Sequence, residues 1–162
     1  MSDQQPIVIQ LQEMASESSN NVSDLLRKAL LISTKLDLKD FKRWVLNELD
    51  GYTKYEDVPD YRIIYGELKV YNPFHGYIPF LIQDPEIAET VKKVIVTESV
   101  DSLQHFVKTG DHSKGLGYSF PPQIEAMLME MQEGFTKLRP MRTVGINQVA
   151  SILEKVRTRL LN

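Results

Sequence analysis

The spacing of apolar residues changes along the chain, and this change limits the available folds more than any other feature. Between residues 22 and 49 apolar side chains recur at helical spacing, which predicts two helices joined by a very short connection. Residues 61–82 are instead rich in β-branched and aromatic residues around a turn at 72–76, which predicts a β-hairpin. Helical spacing returns between residues 85 and 160. The predicted fold class is α+β, a mainly helical domain with a small antiparallel β-hairpin or sheet.

Individual residues refine the predicted elements. Asp37 stands where a cap for the third helix is expected. Pro79 predicts that the second hairpin strand lies at an edge or a bulge, because proline cannot donate to a ladder. Apolar spacing predicts that one later helix reaches Ile95 and another reaches Phe135.

The same pattern suggests how the chain is organised. Residues 1–20 are predicted to be an N-terminal arm and linker, in which residues 7–17 form a short helix or a strand. Residues 21–162 are predicted to be the domain itself. A chain of 162 residues can bury roughly 70% of its unfolded surface, so it needs no metal or disulfide in order to fold.

The composition excludes several classes of protein. Without cysteine the chain has no disulfide, thiolate zinc site, iron–sulfur cluster or cysteine nucleophile. A net charge of -3 gives no overall attraction to nucleic acid or to an anionic membrane. Residues 1–12 lack the basic start of a signal peptide, and no apolar run is long enough to span a bilayer. A cytoplasmic location, no membrane contact and no cofactor are therefore expected.

No catalytic motif is complete in the sequence. In the glycine-containing loop 110–117, Leu116 and Gly117 stand where a phosphate-binding loop requires Lys and Ser or Thr. The histidines show no metal-ligand spacing, so no metal site is predicted. The sequence therefore favours a protein that is not an enzyme, without deciding the matter. Should the chain be an enzyme, the candidate acid–base groups are Glu48, Arg62, His75, His112 and Lys114.

Aromatic and charged residues alternate in the middle of the chain. Trp44, Glu48 and Tyr52 recur at every fourth position and therefore form one line along a helix. A strand over residues 61–71 would place Tyr61 and Arg62 on opposite faces. One interpretation is a packing seam between helix and sheet, with Glu48 and Arg62 paired at its edge. The other is a recognition surface, whose predicted binding residues are Trp44, Tyr52, Tyr61 and Arg62.

Basic residues concentrate near the end of the chain, and they predict a local contact with nucleic acid. A solvated helix face would account for the same concentration. The residues predicted for the nucleic-acid contact are Lys137, Arg139, Arg142, Arg157 and Arg159.

A dense set of fold-setting residues occupies the middle of the chain. They are Trp44-x3-Glu48-Leu49-x-Gly51-Tyr52, Val58-Pro59-Asp60-Tyr61-Arg62, Gly66-Glu67-Leu68, Asn72-Pro73, Gly76 and Pro79. This set resembles the AbiTii domain of bacterial phage-defence proteins, and residues 23–30 and 154–157 look like the same family. The resemblance implies a role in abortive infection, in which a bacterium limits phage spread by halting its own growth or dying. Similar proteins often continue past the last helix, so a longer natural protein is expected.

Three functions agree with these observations. The favoured one is a protein-interaction or ligand-sensing module of an abortive-infection system, which binds a protein partner or a second copy of itself. The second is a growth-arresting toxin enzyme that acts on RNA. The third is a non-catalytic nucleic-acid binder.

Overall fold

Helices and short strands alternate along the chain, and the computed structural model describes residues 5–111 and 113–162. The helices are α1 (Ile7–Ser16), α2 (Val22–Lys35), α3 (Lys39–Asp50), α4 (Pro85–Lys92), α5 (Val100–Thr109), α6 (Pro122–Glu130) and α7 (Ile146–Arg159). The strands are β1 (Ile63–Tyr65), β2 (Glu67–Asn72), β3 (Gly76–Pro79), β4 (Lys93–Ile95), β5 (Leu116–Ser119) and β6 (Arg139–Val144). Two short 3-10 turns, Tyr55–Asp57 and Asp60–Arg62, precede β1. The predicted α+β class is confirmed.

The helical half of the molecule holds most of the core. Leu25 and Leu26 of α2 and Val45 of α3 are fully buried, and each such side chain contributes about 1.5–3 kcal/mol through burial. Leu11 of α1 and Ile152 of α7 belong to the same buried cluster. The first helix, which lies in the segment predicted as an arm, therefore packs against the core of the domain.

The N-terminus of α2 is capped by Asn21, whose Oδ1 accepts from Ser23 N at 2.9 Å and Asp24 N at 3.4 Å. We expect Asn21→Ala to lower the free energy of unfolding by about 1 kcal/mol, since these amides lose their acceptor. Ser19→Ala in the exposed preceding turn is the control and should stay within about 0.5 kcal/mol of the parent. Equal urea midpoints for the two variants would show that the cap contributes nothing.

The connection between α2 and α3 differs from the prediction. Asp37 adopts a left-handed conformation, with φ at 52°, and Leu38 occupies the cap position of α3 without a side-chain hydrogen bond. The prediction that Asp37 caps α3 was therefore wrong. Aspartate tolerates this left-handed conformation better than most residues do, which suits it to the short connection.

The strands form two antiparallel sheets. β1 pairs with β4, and the larger sheet has the order β3-β2-β6-β5. The predicted hairpin is formed by β2 and β3, with Asn72 opposite Gly76. Pro79 lies on β3 at the edge of the sheet, as predicted.

Gly66 divides the run that was predicted to form one strand. A Cβ on Gly66 would lie 2.8 Å from the carbonyl oxygen of Thr143, so only glycine allows β6 to approach this closely. β1 and β2 consequently belong to different sheets. Tyr61 and Arg62 lie in the 3-10 turn before β1, so the prediction that they face opposite sides of a strand was wrong.

Two predicted helices end earlier than their apolar spacing suggested. α4 ends at Lys92, and the β-branched residues that follow pair with β1 as β4. α6 ends at Glu130, so Phe135 lies in a loop instead of on a helix. The strands β5 and β6 were not predicted.

Candidate functional site

Glu48 and Arg62 form a buried ion pair between α3 and the 3-10 turn before β1. Both side chains are fully buried, and the Glu48 carboxylate accepts from Arg62 Nε at 3.1 Å and also from Nη2. This two-point contact of guanidinium and carboxylate is among the stronger hydrogen-bonded geometries in proteins. The pair was predicted at the edge of a packing seam, whereas it lies in the interior.

Aromatic side chains complete the surroundings of Glu48. Tyr52 Oη donates to Glu48 Oε1 at 2.8 Å, and Tyr61 Oη donates to the same oxygen. Trp44 Nε1 donates to Tyr61 Oη at 2.8 Å. Burial, and after it the charge of Glu48, raises the pKa of Tyr52 and of Tyr61 above the ordinary value. Both carboxylate oxygens therefore already have donors, which suits a structural role for Glu48.

Arg62 connects this network to the segment after β4. Its Nη1 donates to the carbonyl oxygens of Val96 at 3.0 Å and Glu98 at 2.7 Å. Its guanidinium carbon lies 5.0 Å from the centre of the Tyr52 ring, within the range of a cation–π contact. The buried ion pair therefore holds the backbone of residues 96–98, and the side chains of Thr97 and Glu98 in this segment reach the surface.

The structure does not gather the five candidate acid–base groups. Glu48 and Arg62 are in contact, but His75 is exposed in the β2–β3 turn and Lys114 is exposed in the loop before β5. Over residues 5–111 and 113–162, neither side chain hydrogen-bonds to the buried pair. His112 lies outside the described residues.

The predicted binding residues are mostly interior. Trp44 and Tyr52 are 8% and 7% exposed, and Arg62 is 0% exposed, while Tyr61 is half-buried. The accessible edges of Trp44 and Tyr52 line a shallow depression of about 330 Å³. The Arg159 guanidinium covers the Trp44 ring at 4.9 Å from its centre. As a recognition surface, this set stays a prediction.

The basic residues near the end of the chain lie in different neighbourhoods. Arg157 is 9% exposed and donates to two backbone carbonyls in the loop after α1. Arg139 forms a salt bridge of 3.3 Å with a glutamate of α6, and Arg159 lies on Trp44. Lys137 is exposed in the loop before β6. With Arg142 in a separate cleft, these residues occupy several faces, and a nucleic-acid contact stays a prediction.

A cleft of about 600 Å³ opens between β4 and the β5–β6 edge of the larger sheet. Glu98, Tyr118 and Arg142 line it, and each has a buried polar atom: Oε2, Oη and Nε, respectively. Burial, followed by the charge of Glu98, raises the pKa of Tyr118. The Glu98 carboxylate and the Tyr118 hydroxyl are neighbours, and their contact adds to this rise in the pKa. Within the described part of the chain, all three atoms lack hydrogen-bond partners.

Arg142 is fixed in this cleft by its outer nitrogens. Nη1 donates to the Lys93 carbonyl at 2.6 Å and Nη2 to the Ser119 carbonyl at 2.9 Å. The guanidinium carbon lies 4.5 Å from the centre of the Phe120 ring. Burial lowers the pKa of Arg142. Arg142 was predicted as a nucleic-acid contact, and its neighbours in this cleft were not predicted.

Large apolar side chains are exposed around the β2–β3 turn and the loop before β6. Phe74 is 92%, Leu81 87% and Phe135 107% exposed. Phe74 and Leu138 line one shallow depression, and Leu81 lines another beside the start of the same loop. We call this surface the apolar tip. Sequence reasoning missed it, although Phe74 stands within a turn sequence, where an aromatic side chain has little opportunity for burial.

The described residues contain neither a candidate metal site nor a candidate membrane-spanning helix. Across them, no group of three or more histidines and carboxylates is arranged to hold a metal ion. Among the same residues, no helix combines the length and the apolar character that crossing a membrane requires.

The architecture is that of an α+β domain in which a buried ion-pair network joins the helical half to a surface cleft. The chain belongs to the AbiTii family, whose model matches residues 6–162. The resemblance found in the sequence is thereby confirmed, and the family suggests an anti-phage role in abortive infection. No curated protein matches the chain, and no solved structure does.

Proposed function

We propose that this chain is a protein-interaction module of an abortive-infection system, and that the apolar tip is the surface that contacts the partner. The observation that carries the proposal is the exposure of Phe74, Leu81 and Phe135, each of which is at least 87% exposed. Large apolar side chains that are exposed to this degree typically mark an interaction site. Aromatic anchors of this type contribute a large share of the binding energy at protein interfaces.

The charges around the apolar tip indicate what kind of partner fits. Lys137 and Arg139 line the same depression as Phe74 and Leu138. Opposite charges at an interface rim steer encounter and suppress wrong partners. Asp84 and Glu133 line the other depression of the apolar tip. The complementary surface is therefore apolar at its centre and carries charges of both signs at its rim. A separate protein and a second copy of this chain are the two partners that such a surface can take.

The buried network supports a binding function over catalysis by Glu48 and Arg62. Glu48 is 0% exposed and holds hydrogen-bond donors on both carboxylate oxygens. A general acid or base must come within hydrogen-bond reach of the proton that it transfers. A substrate would reach Glu48 only after the core had opened.

Replacing Phe74 and Phe135 together by serine is expected to reduce phage protection by at least about tenfold in cells that carry the complete natural system. Each lost aromatic anchor weakens binding by about 2 kcal/mol, which is about thirtyfold in affinity. Efficiency of phage plating measures the effect. The matched control replaces Leu31 and Leu36, which are 48% and 52% exposed on the helical side, by serine.

Sedimentation of the purified chain over a range of concentrations distinguishes the two partners. If the parent chain self-associates and the Phe74→Ser, Phe135→Ser variant does not, the partner is a second copy of the chain. If the parent and the variant are both monomeric and the variant loses protection, the partner is a separate protein. Full protection by the tip variant, with its urea midpoint unchanged, contradicts the proposal.

The cleft beside β4 favours a second function, the sensing of a small ligand. Its volume of about 600 Å³ lies within the range that small-molecule sites occupy. It is also connected to the core, because the Glu98 carbonyl accepts from Arg62. Binding there would act on a segment that the buried ion pair already holds.

A further inference from the structure

We propose that the partner of the apolar tip is a second copy of this chain, and that the tip of one copy inserts Phe135 into an apolar groove on the helical half of the next. The inference rests on the proposed function, because it names the partner of the surface proposed above. It adds the receiving surface on that partner. The contact is head-to-tail, since a tip meets a groove and not another tip.

The receiving surface is a groove of about 400 Å³ bordered by α1 and α3. Most of its lining side chains are apolar, among them Val8, Leu11, Ile32, Leu38 and Phe41. Leu11 and Ile32 are buried members of the main core cluster, whereas Val8 and Leu38 are exposed at the rim. The core therefore reaches the surface in a concave apolar site, which accepts a side chain that projects from another molecule.

The apolar tip supplies side chains that project. The loop after α6 bends at Gly134, whose φ of 94° is accessible mainly to glycine, and the next residue is the fully exposed Phe135. Phe74 is close to it, because Phe74 lines a depression together with Thr136. Phe80 and Ile82, on either side of Leu81, pack against a second, smaller core cluster. The tip and the groove thus belong to different parts of the chain, and the contact between them is made by two copies.

The area of this contact suits a weak, reversible association. An aromatic side chain buries about 150–250 Å², so Phe74, Phe135 and the neighbouring Leu81 would bury about 500 Å² of the tip. A comparable area of the groove brings the total to about 1,000 Å², which is the size at which specific interfaces begin. Association is therefore expected in the upper micromolar range of protein concentration and not at nanomolar concentration.

Charged side chains stand beside the apolar centre of both surfaces. On the tip, Glu133 precedes Phe135 by two residues and Lys137 follows it by two. On the helical half, Arg159 lines the groove, and Asp40 lies in an adjoining depression that Arg159 also lines. Each surface therefore carries both signs of charge, as the complement of the apolar tip requires.

A head-to-tail contact has a consequence that a symmetric contact lacks. Each added copy leaves one tip and one groove unused at the two ends of the assembly, so growth continues past the dimer unless a ring closes. A symmetric contact of tip with tip would stop at two copies. The size of the assembly therefore distinguishes the two arrangements.

Sedimentation velocity at concentrations up to about 1 mM tests the inference with two variants. The tip variant is Phe74→Ser, Phe135→Ser, and the groove variant is Val8→Asp, Leu38→Asp, at exposed rim positions. We expect the parent to form species larger than a dimer, and each variant alone to self-associate at least about tenfold more weakly. An equal mixture of the variants should form a heterodimer and nothing larger, because it offers one intact tip and one intact groove.

A matched control and a milder variant accompany this test. Ile9→Asp, Leu46→Asp changes two exposed apolar residues of the helical half that lie outside the groove lining, and it should associate as the parent does. Leu38 occupies the cap position of α3, where aspartate is a favourable residue, so the groove variant is expected to fold. Val8→Asp alone should weaken self-association about threefold and provides the measurement if the double variant unfolds.

Three outcomes would overturn the inference. A parent that is monomeric at about 1 mM leaves the groove to a different occupant. A groove variant that associates as the parent does, while the tip variant does not, means that two tips meet each other. A mixture of the two folded variants that stays monomeric excludes the contact between tip and groove. The proposed function survives each of these outcomes, since it fails only if the tip variant protects fully against phage.

Discussion

Glu48→Ala is expected to lower the free energy of unfolding by about 3–5 kcal/mol, the largest loss that we expect from any single substitution in this chain. The variant leaves the Arg62 guanidinium buried without its counter-ion, although both side chains are 0% exposed in the parent. The hydroxyls of Tyr52 and Tyr61 lose their acceptor at the same time. Domains of this size are stable by only about 5–15 kcal/mol, so this loss removes between about one fifth and all of the stability.

Urea unfolding monitored by circular dichroism measures this loss. Glu89→Ala on the exposed side of α4 is the matched control and should change stability by less than about 0.5 kcal/mol. Glu48→Gln keeps an oxygen acceptor for the tyrosines but no charge for Arg62, so an intermediate loss is expected. A loss below about 1 kcal/mol for Glu48→Ala would mean that the pair is not a structural link.

The helical hairpin could be predicted because its signal is local. Apolar residues at helical spacing identified α2 and α3. The hairpin of β2 and β3 was equally visible, since β-branched runs flank a turn sequence. In each case neighbours in the sequence are neighbours in space.

The strands β5 and β6 could not be predicted, because their partners are distant in sequence. β6 pairs with β2, and Pro140 lies opposite Val70 within it. A proline argues against an internal strand, but β5 pairs with β6 only from Met141 onward, so Pro140 has no strand on its other side. Nothing in a six-residue window around Pro140 shows this arrangement.

The site illustrates the same limit at the level of side chains. The spacing of Trp44, Glu48 and Tyr52 correctly identified a line of related residues on and just beyond α3. The 3-10 turn that brings Tyr61 and Arg62 to Glu48 has no periodic signal, so the depth of the ion pair was missed. The cleft joins Glu98, Tyr118 and Arg142 from separate segments, and only the pairing of β5 with β6 brings two of them together.

Raising the pH from 10 to 11 is expected to lower the free energy of unfolding by about 3 kcal/mol. Burial raises the pKa of Tyr52, Tyr61 and Tyr118 from the ordinary value of 10.0, so the folded state keeps these hydroxyl protons while the unfolded state loses them. Above pH 10 the folded state therefore binds more protons, and stability falls as the pH rises. Each tyrosine contributes about 1 kcal/mol over this interval, because in the unfolded state it passes from half to about nine-tenths ionised.

Tyr118→Phe isolates one part of this dependence. Because Tyr118 Oη has no hydrogen-bond partner within the described ranges, its removal should change stability at pH 7 by less than about 1 kcal/mol. The fall between pH 10 and 11 should nevertheless shrink by about one third, since one of the three raised pKa values is gone. Tyr71→Phe, at a position that is 47% exposed, is the control and should keep the full slope. Urea unfolding at pH 9, 10 and 11 provides the measurement, and equal slopes for the two variants would show that the Tyr118 hydroxyl ionises as freely in the folded chain as in the unfolded one.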